Sequence, residues 1–313
     1  MRTRILVTGT TGFVGQALCT EALIQGFKVL GSLRNYKYFN SQIESFIIPD
    51  INSKTDWTIA LNRVDVLIHL AARVHVMRDT EVNPIIAFRE VNVNGTLNLA
   101  RQAVKSGCKR FIFISSIGVN GSQTQVGQSF SELDKPAPHN AYSLSKWEAE
   151  KGLFSLAHET GLEVVIIRPP LVYGLNAPGN FKSLKSAVNS GWPLPLGSFS
   201  NLRSFVSLDN LVDFIITCIN HPLAAGQVFL VSDGRDLSTT DLVRGMAQAT
   251  GVPLRIVPFP VWALNACASL LGRGDVFQRM NSNLQIDISK AQKLLSWVPP
   301  FSVEDGLRRA MSK

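Results

Sequence analysis

The feature that most constrains this chain is a glycine triplet lying between a short apolar run and a helical pattern at its start. Arg4 to Val7 reads as a strand, Thr8-Gly9-Thr10-Thr11-Gly12-Phe13-Val14-Gly15 as a tight turn, and Phe13 to Gln25 as a helix. Glycines at this spacing remove Cβ atoms where backbone must approach a pyrophosphate lying on the positive end of a helix. A strand that feeds a helix in this way predicts a parallel sheet, since the chain must cross over before pairing again. Later apolar runs continue the alternation. Lys28 to Leu33, Ser45 to Ile48, Asp65 to Leu70, Arg110 to Ser115 and Glu163 to Arg168 read as strands, with helices over Asp56 to Arg63, Pro84 to Ser106 and Ala141 to Thr160. Pro84 and Gly107 bracket the second of these helices as start and stop signals do. The expected fold class is α/β, a doubly wound parallel sheet.

After Arg168 the alternation breaks into Pro169-Pro170, a Gly/Pro/Asn-rich stretch from Gly174 to Asn180, and Gly191-Trp192-Pro193-Leu194-Pro195-Leu196-Gly197. Long loops of this kind in an enzyme tend to bind ligands. Val228 to Val231 reads as a return to the sheet. Residues 1–168 are therefore expected to form a dinucleotide-binding domain completed by about 205–232, with 169–204 and 233–313 forming a smaller, mainly helical substrate-binding part.

The formal net charge of +8 reads first as a basic surface that aids solubility, and it is also compatible with an anionic ligand. The basic residues are dispersed, Arg308-Arg309 being the densest group, so a nucleic-acid partner is not expected. Cys19, Cys108, Cys218 and Cys267 are isolated, which predicts buried thiols and neither a disulfide framework nor a metal site. No run approaches the roughly 18 apolar residues of a membrane span. The apolar stretch Val261 to Leu271 is too short and reads as a packed helix or a dimer surface. Ile5-Leu6-Val7 is too short for a signal peptide, and a cytoplasmic protein without membrane insertion is expected.

In strand-turn-helix context, Gly9, Thr11, Gly12, Phe13, Val14 and Gly15 are read as a nicotinamide-dinucleotide cradle. An NAD-specific enzyme would place Asp or Glu at the end of the second strand, to hold the ribose hydroxyls. Here Ser32-Leu33-Arg34 stands instead, and Arg34 suits a 2′-phosphate, so NADP is expected, with NAD tolerated. Asp50 and Ile51 fall where the adenine edge would lie. Leu70, Ala71 and Ala72 offer small residues near the cofactor, and Asn92 lies on the long helix behind them.

Tyr142 and Lys146 stand at i and i+4 of a helical pattern, so both face one way. An adjacent ammonium favours a phenolate and brings a phenol toward the working pH. Ser115 and Ser116 end the apolar run Phe111 to Ile114, at the carboxyl edge of the sheet where ligands of doubly wound folds bind. One of them can hydrogen-bond a substrate oxygen. Glycine turn, strand-end serines and Tyr/Lys pair in this order make a single geometric proposal. Arg73 and His75, after the fourth strand, are further candidates to line a sugar pocket, with a purely structural role equally open.

With these residues in view, the chain resembles the extended short-chain dehydrogenase/reductase family, the NAD-dependent epimerases and dehydratases of nucleotide sugars. The resemblance runs through Val91-Asn92-Val93-Asn94-Gly95-Thr96, Ser115-Ser116, Tyr142-Ser143-Leu144-Ser145-Lys146, Arg168-Pro169-Pro170-Leu171-Val172-Tyr173-Gly174 and Asp287 to Lys290. It implies a Rossmann fold, Ser116 and Tyr142 as the proton-handling pair, Lys146 on the ribose, and Pro169 beside the nicotinamide. It further implies Asn180 and Arg203 as substrate residues, Arg203 gripping the diphosphate, and a homodimer paired through the long helix after Pro84. Dehydratases of the family carry Asp-Glu after the strand-end Ser/Thr, where this chain has Ile117-Gly118. Epimerases usually show Tyr where Asn120 stands and Asn where Leu171 stands.

The resemblance is strongest to bacterial reductases that form UDP-N-acetylquinovosamine. It implies reduction at C4 of UDP-4-dehydro-6-deoxy-N-acetylglucosamine, for O-antigen and related polysaccharides. A UDP-hexose 4-epimerase holding its NAD is the alternative, and a non-catalytic NAD(P) sensor a second one.

Overall fold

Most apolar runs of the first half are buried, as strands of a parallel sheet covered by helices must be, while the run Ser45 to Ile48 is half-buried. The computed structural model describes residues 2–35, 42–74, 83–270, 272 and 274–312. Among these, the strands are β1 (Arg4–Thr8), β2 (Lys28–Leu33), β3 (Glu44–Ile47), β4 (Val66–His69), β5 (Arg110–Ile114), β6 (Glu163–Arg168), β7 (Leu171–Tyr173), β8 (Phe205–Ser207) and β9 (Gln227–Leu230). The helices are α1 (Phe13–Ile24), α2 (Pro84–Arg89), α3 (Thr96–Lys105), α4 (Ala141–Thr160), α5 (Asn180–Asn189), α6 (Leu208–Asn220), α7 (Thr239–Thr250), α8 (Val261–Leu270), α9 (Gly274–Asn281), α10 (Ser289–Leu295) and α11 (Val303–Met311).

The main sheet runs β3-β2-β1-β4-β5-β6-β9 with every pair parallel, so strand order reverses at β1 and β4. That reversal opens a crevice at the carboxyl ends of the strands, the binding place of open α/β sheets. One face buries a core shared with α1 and α6, including Leu18, Leu211, Phe214 and Ile215. The other buries Leu99, Ala103, Ala149 and Leu153 from α3 and α4. The expected α/β class with a doubly wound parallel sheet is what the chain adopts.

Two helices expected from the sequence differ. Asp56 to Arg63 forms successive turns, because the Asp56 carboxylate accepts from both the Thr58 amide (2.9 Å) and hydroxyl (2.6 Å) and so competes with a helical start. The long helix from Pro84 is broken by a π-helical turn at Glu90–Gly95 between α2 and α3. Such turns redirect side chains locally, and here it is Asn92 that is turned inward.

The segment after Arg168 holds more structure than its prolines and glycines suggested. β7 and β8 pair in parallel as a second small sheet, Leu171 opposite Phe205. Tyr173, Phe181, Val188, Leu242, Met246, Leu307 and Met311 gather in a separate core. The C-terminal stretch is divided between cores: Leu284, Ile286, Ile288, Leu295 and Trp297 join the main sheet's cluster instead. Among the described residues no helix is long and apolar enough to cross a membrane, and no cluster of metal-binding side chains occurs. Cys19, Cys108 and Cys218 are free and buried. The Cys267 side chain lies outside what is described.

Candidate active site

The glycine turn is built as a cradle. Gly9 has φ of +73°, and a Cβ there would come within 3.0 Å of the Ala71 amide. A Cβ on Gly15 would lie 2.2 Å from the Gly9 carbonyl oxygen, so only glycine lets α1 pack this closely on the turn. Gly12 begins α1 without any side-chain cap, and a Cβ there would meet only the Gly9 carbonyl, at 3.1 Å. The first amides of α1 are thus left without an intrahelical partner or a side-chain cap. An uncapped helix start with a glycine floor fits the pyrophosphate of a dinucleotide. Thr11, Phe13 and Val14 lie on this same turn.

Leu70, Ala71 and Ala72 follow β4 and lie against the turn, the Ala71 amide donating to Thr8 Oγ1 at 3.2 Å. Arg34 is exposed just past the end of β2, where a 2′-phosphate could reach it. Asp50 is exposed after β3. Ile51 packs on the π-turn, its Cγ2 within 2.7 Å of where a Gly95 Cβ would be.

Helix α4 carries the Tyr/Lys pair. Asn140 caps it by accepting from the Ser143 amide at 2.8 Å, and Gly161 ends it with φ of 75°. Lys146 is only 1% exposed; its Nζ donates to the Ile114 carbonyl at 2.8 Å and sits 4.3 Å above the Phe113 ring and 5.9 Å from the Tyr142 ring centroid. Phe113 in turn stacks on His69 at 5.9 Å, and His69 Nδ1 lies 2.7 Å from Thr8 Oγ1. A continuous set of contacts thereby joins the Lys146 ammonium to the residue before Gly9.

Burial acts on the pair in opposite directions. It pushes the Tyr142 phenol up to about 12 and pulls the Lys146 ammonium down to about 7, with Glu150 partly holding the latter up. In the protein alone desolvation therefore outweighs the depression of the phenol that an adjacent ammonium was expected to produce. His69, fully buried between the Thr8 and Thr96 hydroxyls, is driven down to about 3 by desolvation and then by Lys146, and stays neutral.

Ser116 caps a 3₁₀ turn at Ile117–Val119, its Oγ accepting from the Gly118 amide at 3.1 Å. Pro169 is buried beside it, its carbonyl accepting from the Ile117 amide at 3.0 Å. Ser115 points the other way: its hydroxyl donates to Glu150 in a buried contact, so its side chain is committed inside the protein rather than to the crevice. Asn92 is likewise engaged, accepting from the Arg73 amide at 2.8 Å and donating to the Arg73 carbonyl and Ser145 Oγ, both at 3.0 Å. It holds the loop after β4 to α4. Arg73 itself lies with Cζ 5.7 Å over the Phe88 ring, and Phe88 meets Tyr142 edge-on. His75 lies outside the described residues.

Asn180 is exposed at the start of α5. Arg203 is partly buried, with Nη1 donating to both the carbonyl and hydroxyl of Ser282 at 2.9 Å. That anchor borders a cavity of about 600 Å³ lined by Ser122, Gln123, Trp262, Phe277, Asn281 and Ser282. None of these six was found from sequence. Ser122 and Gln123 lie just past the Ser116 turn, so proximity to the strand-end serines was the available signal; α8 and α9 offered none.

Residues 5–232 match the family described as the NAD dependent epimerase/dehydratase family. The chain belongs to this family. It is thus an enzyme of the short-chain dehydrogenase type, dependent on a nicotinamide dinucleotide. It is similar to a UDP-glucose 4-epimerase of Vibrio cholerae, 47% identical over 306 residues, with 97% of this chain and 93% of the relative covered. A second relative, the N-acetyl-alpha-D-glucosaminyl-diphospho-ditrans,octacis-undecaprenol 4-epimerase of Escherichia coli O157:H7, is 28% identical and covers 99% of this chain and 95% of its own. The fold is that of the UDP-glucose 4-epimerase of Thermotoga maritima solved with UDP-glucose, with TM-score 0.79, 23% identity, and coverage of 99% of this chain and 97% of the other.

These relatives favour the alternative reading from sequence, epimerisation, over the reduction placed first. Asn120, which stands where epimerases usually show Tyr, is 2% exposed, accepts from Arg168 Nη1 at 2.9 Å and donates to the Ser131 carbonyl at 2.8 Å, so its side chain is engaged inside the protein.

Proposed function

We propose that this enzyme interconverts UDP-hexoses at C4, in the manner of a UDP-glucose 4-epimerase. The observation that carries this is the 47% identity to such an epimerase across nearly the whole chain. The site has the means for it. Tyr142 takes the proton from the C4 hydroxyl and returns it to the C4 oxygen, and Ser116 hydrogen-bonds that oxygen as its charge develops. Lys146 holds the nicotinamide ribose and supplies the positive charge that lets the phenol act as a base. When bound, the nicotinamide ring serves as hydride acceptor and donor. Gly9, Gly12, Gly15 and the open amides of α1 hold the pyrophosphate, with Leu70, Ala71 and Pro169 along the cofactor. Arg203 and the cavity beside Ser282 take the nucleotide sugar.

The test is incubation with UDP-glucose, UDP-galactose and their N-acetyl forms. The expected result is interconversion with no net change in nicotinamide absorbance. A protein that leaves all four unchanged overturns the reading. Reduction of UDP-4-dehydro-6-deoxy-N-acetylglucosamine to UDP-N-acetylquinovosamine is the second reading, favoured by the exposed Arg34 where a 2′-phosphate would sit. It requires stoichiometric loss of NADPH.

A further inference from the structure

Glu150 lies two turns beyond Tyr142 and one beyond Lys146, on the same stripe of α4. It is 2% exposed, and both carboxylate oxygens are taken. Oε1 accepts from Arg168 Nε at 3.0 Å and from Ser115 Oγ, and Oε2 accepts from Arg168 Nη2 at 2.5 Å. A forked guanidinium–carboxylate pair buried this far fixes geometry as well as charge. Ser116 is held from both sides as a result. Before it, Ser115 is tied to Glu150; after it, the Ile117 amide donates to the carbonyl of Pro169, the residue following Arg168. Arg168 also reaches Asn120 at the end of the Ser116 turn.

We propose that Glu150 is a positioning residue of the C4 reaction, fixing Ser116 through Ser115 and Arg168 and supplying the counter-charge of Lys146. The proposal rests on reading Ser116, Tyr142 and Lys146 as the reacting set. The groups facing Lys146 leave Glu150 in that role: Tyr142 on α4 carries no charge at neutral pH, His69 on β4 is neutral, β5 offers the Phe113 ring and the Ile114 carbonyl, and Arg168 on β6 is a like charge already paired to Glu150. Burial alone pulls the ammonium down, and Glu150 is the group that opposes it.

Glu150→Gln in the full-length protein keeps the side chain's size and removes its charge. The Lys146 ammonium should then be lost at lower pH. The alkaline limb of kcat should move down by about one unit, and kcat at neutral pH should fall about 10- to 100-fold through the loosened Ser116, with KM for the UDP-sugar little changed. Acetic anhydride labelling of Lys146 across pH, followed by mass spectrometry of its peptide, reads the same shift without any substrate. Because Glu150→Gln strands a buried arginine and endangers folding, the double variant E150Q/R168Q is measured beside it. In the double variant the counter-charge is still missing, so the labelling curve should remain displaced even where the melting temperature recovers. A labelling curve at the wild-type pH in a folded variant lacking Glu150 overturns the proposal, as does a uniform loss of kcat with no displaced limb. Failure of the parent protein to turn over UDP-hexoses would leave the labelling result standing and would count against the epimerase reading instead.

Discussion

Gly12 and Gly15 are three residues apart in one turn, yet the structure assigns opposite consequences to adding a methyl group at each. At Gly15 the new Cβ would sit 2.2 Å from the Gly9 carbonyl oxygen and 2.8 Å from the Thr10 Cα, both backbone atoms that cannot rotate away. Gly15→Ala must therefore lift α1 off the turn. Overpacking of this type costs about 1–3 kcal/mol, and a backbone clash belongs at the top of that range. At about 2–4 °C per kcal/mol in large domains, the melting temperature should fall by about 6–12 °C.

At Gly12 the Cβ would meet a single atom at 3.1 Å, with the backbone in an extended conformation that alanine adopts freely. The fold should lose no more than about 1 kcal/mol, the cost of alanine at a helix cap. The methyl group would instead occupy the approach to the open amides of α1. Losing one charge-assisted hydrogen bond to the pyrophosphate costs about 1.5–3 kcal/mol, or roughly 10- to 100-fold in Kd for the dinucleotide. Thermal melts and calorimetric titration with NAD on the two variants separate the effects. A Gly12→Ala protein with parental affinity, or a Gly15→Ala protein with parental melting temperature, would refute the assignment of the cradle.

Tyr142→Phe should retain dinucleotide binding by calorimetry while turnover falls about 10²- to 10⁴-fold, the range for a lost proton-transfer group; unchanged turnover would remove Tyr142 from the reaction. Arg34→Glu, at an exposed site where the fold is indifferent, should weaken NADPH binding and spare or improve NADH binding, read as the ratio of their Kd values. An unaltered ratio would mean that Arg34 is only a solvated turn residue. His69 titrates near 3 in the folded protein against 6.5 when unfolded, so the unfolded chain binds the extra proton between those values. Its contribution to stability should be complete above about pH 6.5 and be lost as pH falls toward 3, steepening acid unfolding by up to about 1.4 kcal/mol per pH unit. His69→Gln, followed by urea unfolding across this range, should show a shallower slope.

The sheet was legible because burial on both faces leaves uninterrupted apolar runs; β2 and β6 have the bounds their sequences suggested. The ends of other elements, and the turns over Asp56 to Arg63, depend on single side chains such as the Asp56 carboxylate, which no periodicity registers. The geometry of the candidate site was legible where a residue type fixes it: Gly9 and Gly15 stand where a Cβ would clash, and Lys146 lies beside the Tyr142 ring on α4. It was illegible where direction matters. Ser115 and Ser116 are adjacent and identical, yet one faces Glu150 and the other caps the turn at the sheet edge. Asn92 and Asn120 belong to suggestive motifs and spend their hydrogen bonds inside the protein. Phe277 and Asn281 line the cavity because α8 and α9 come beside Ser122 and Gln123, a long-range fact with no local pattern.

On the proposed reading, the opposite shifts of Tyr142 and Lys146 have a chemical use. Desolvation favours the uncharged member of each group, so near neutral pH the buried pair holds its proton on the phenol rather than existing as phenolate and ammonium. A neutral phenol is a donor, suited to protonating a C4 oxyanion. Taking the C4 hydroxyl proton asks for the reverse state, with a charged amine to stabilise the phenolate. An epimerase needs both directions in each turnover, whereas a one-way reductase needs only the donor. An amine poised at about 7, lowered by burial and held up by Glu150, lies between the two states and keeps both within reach.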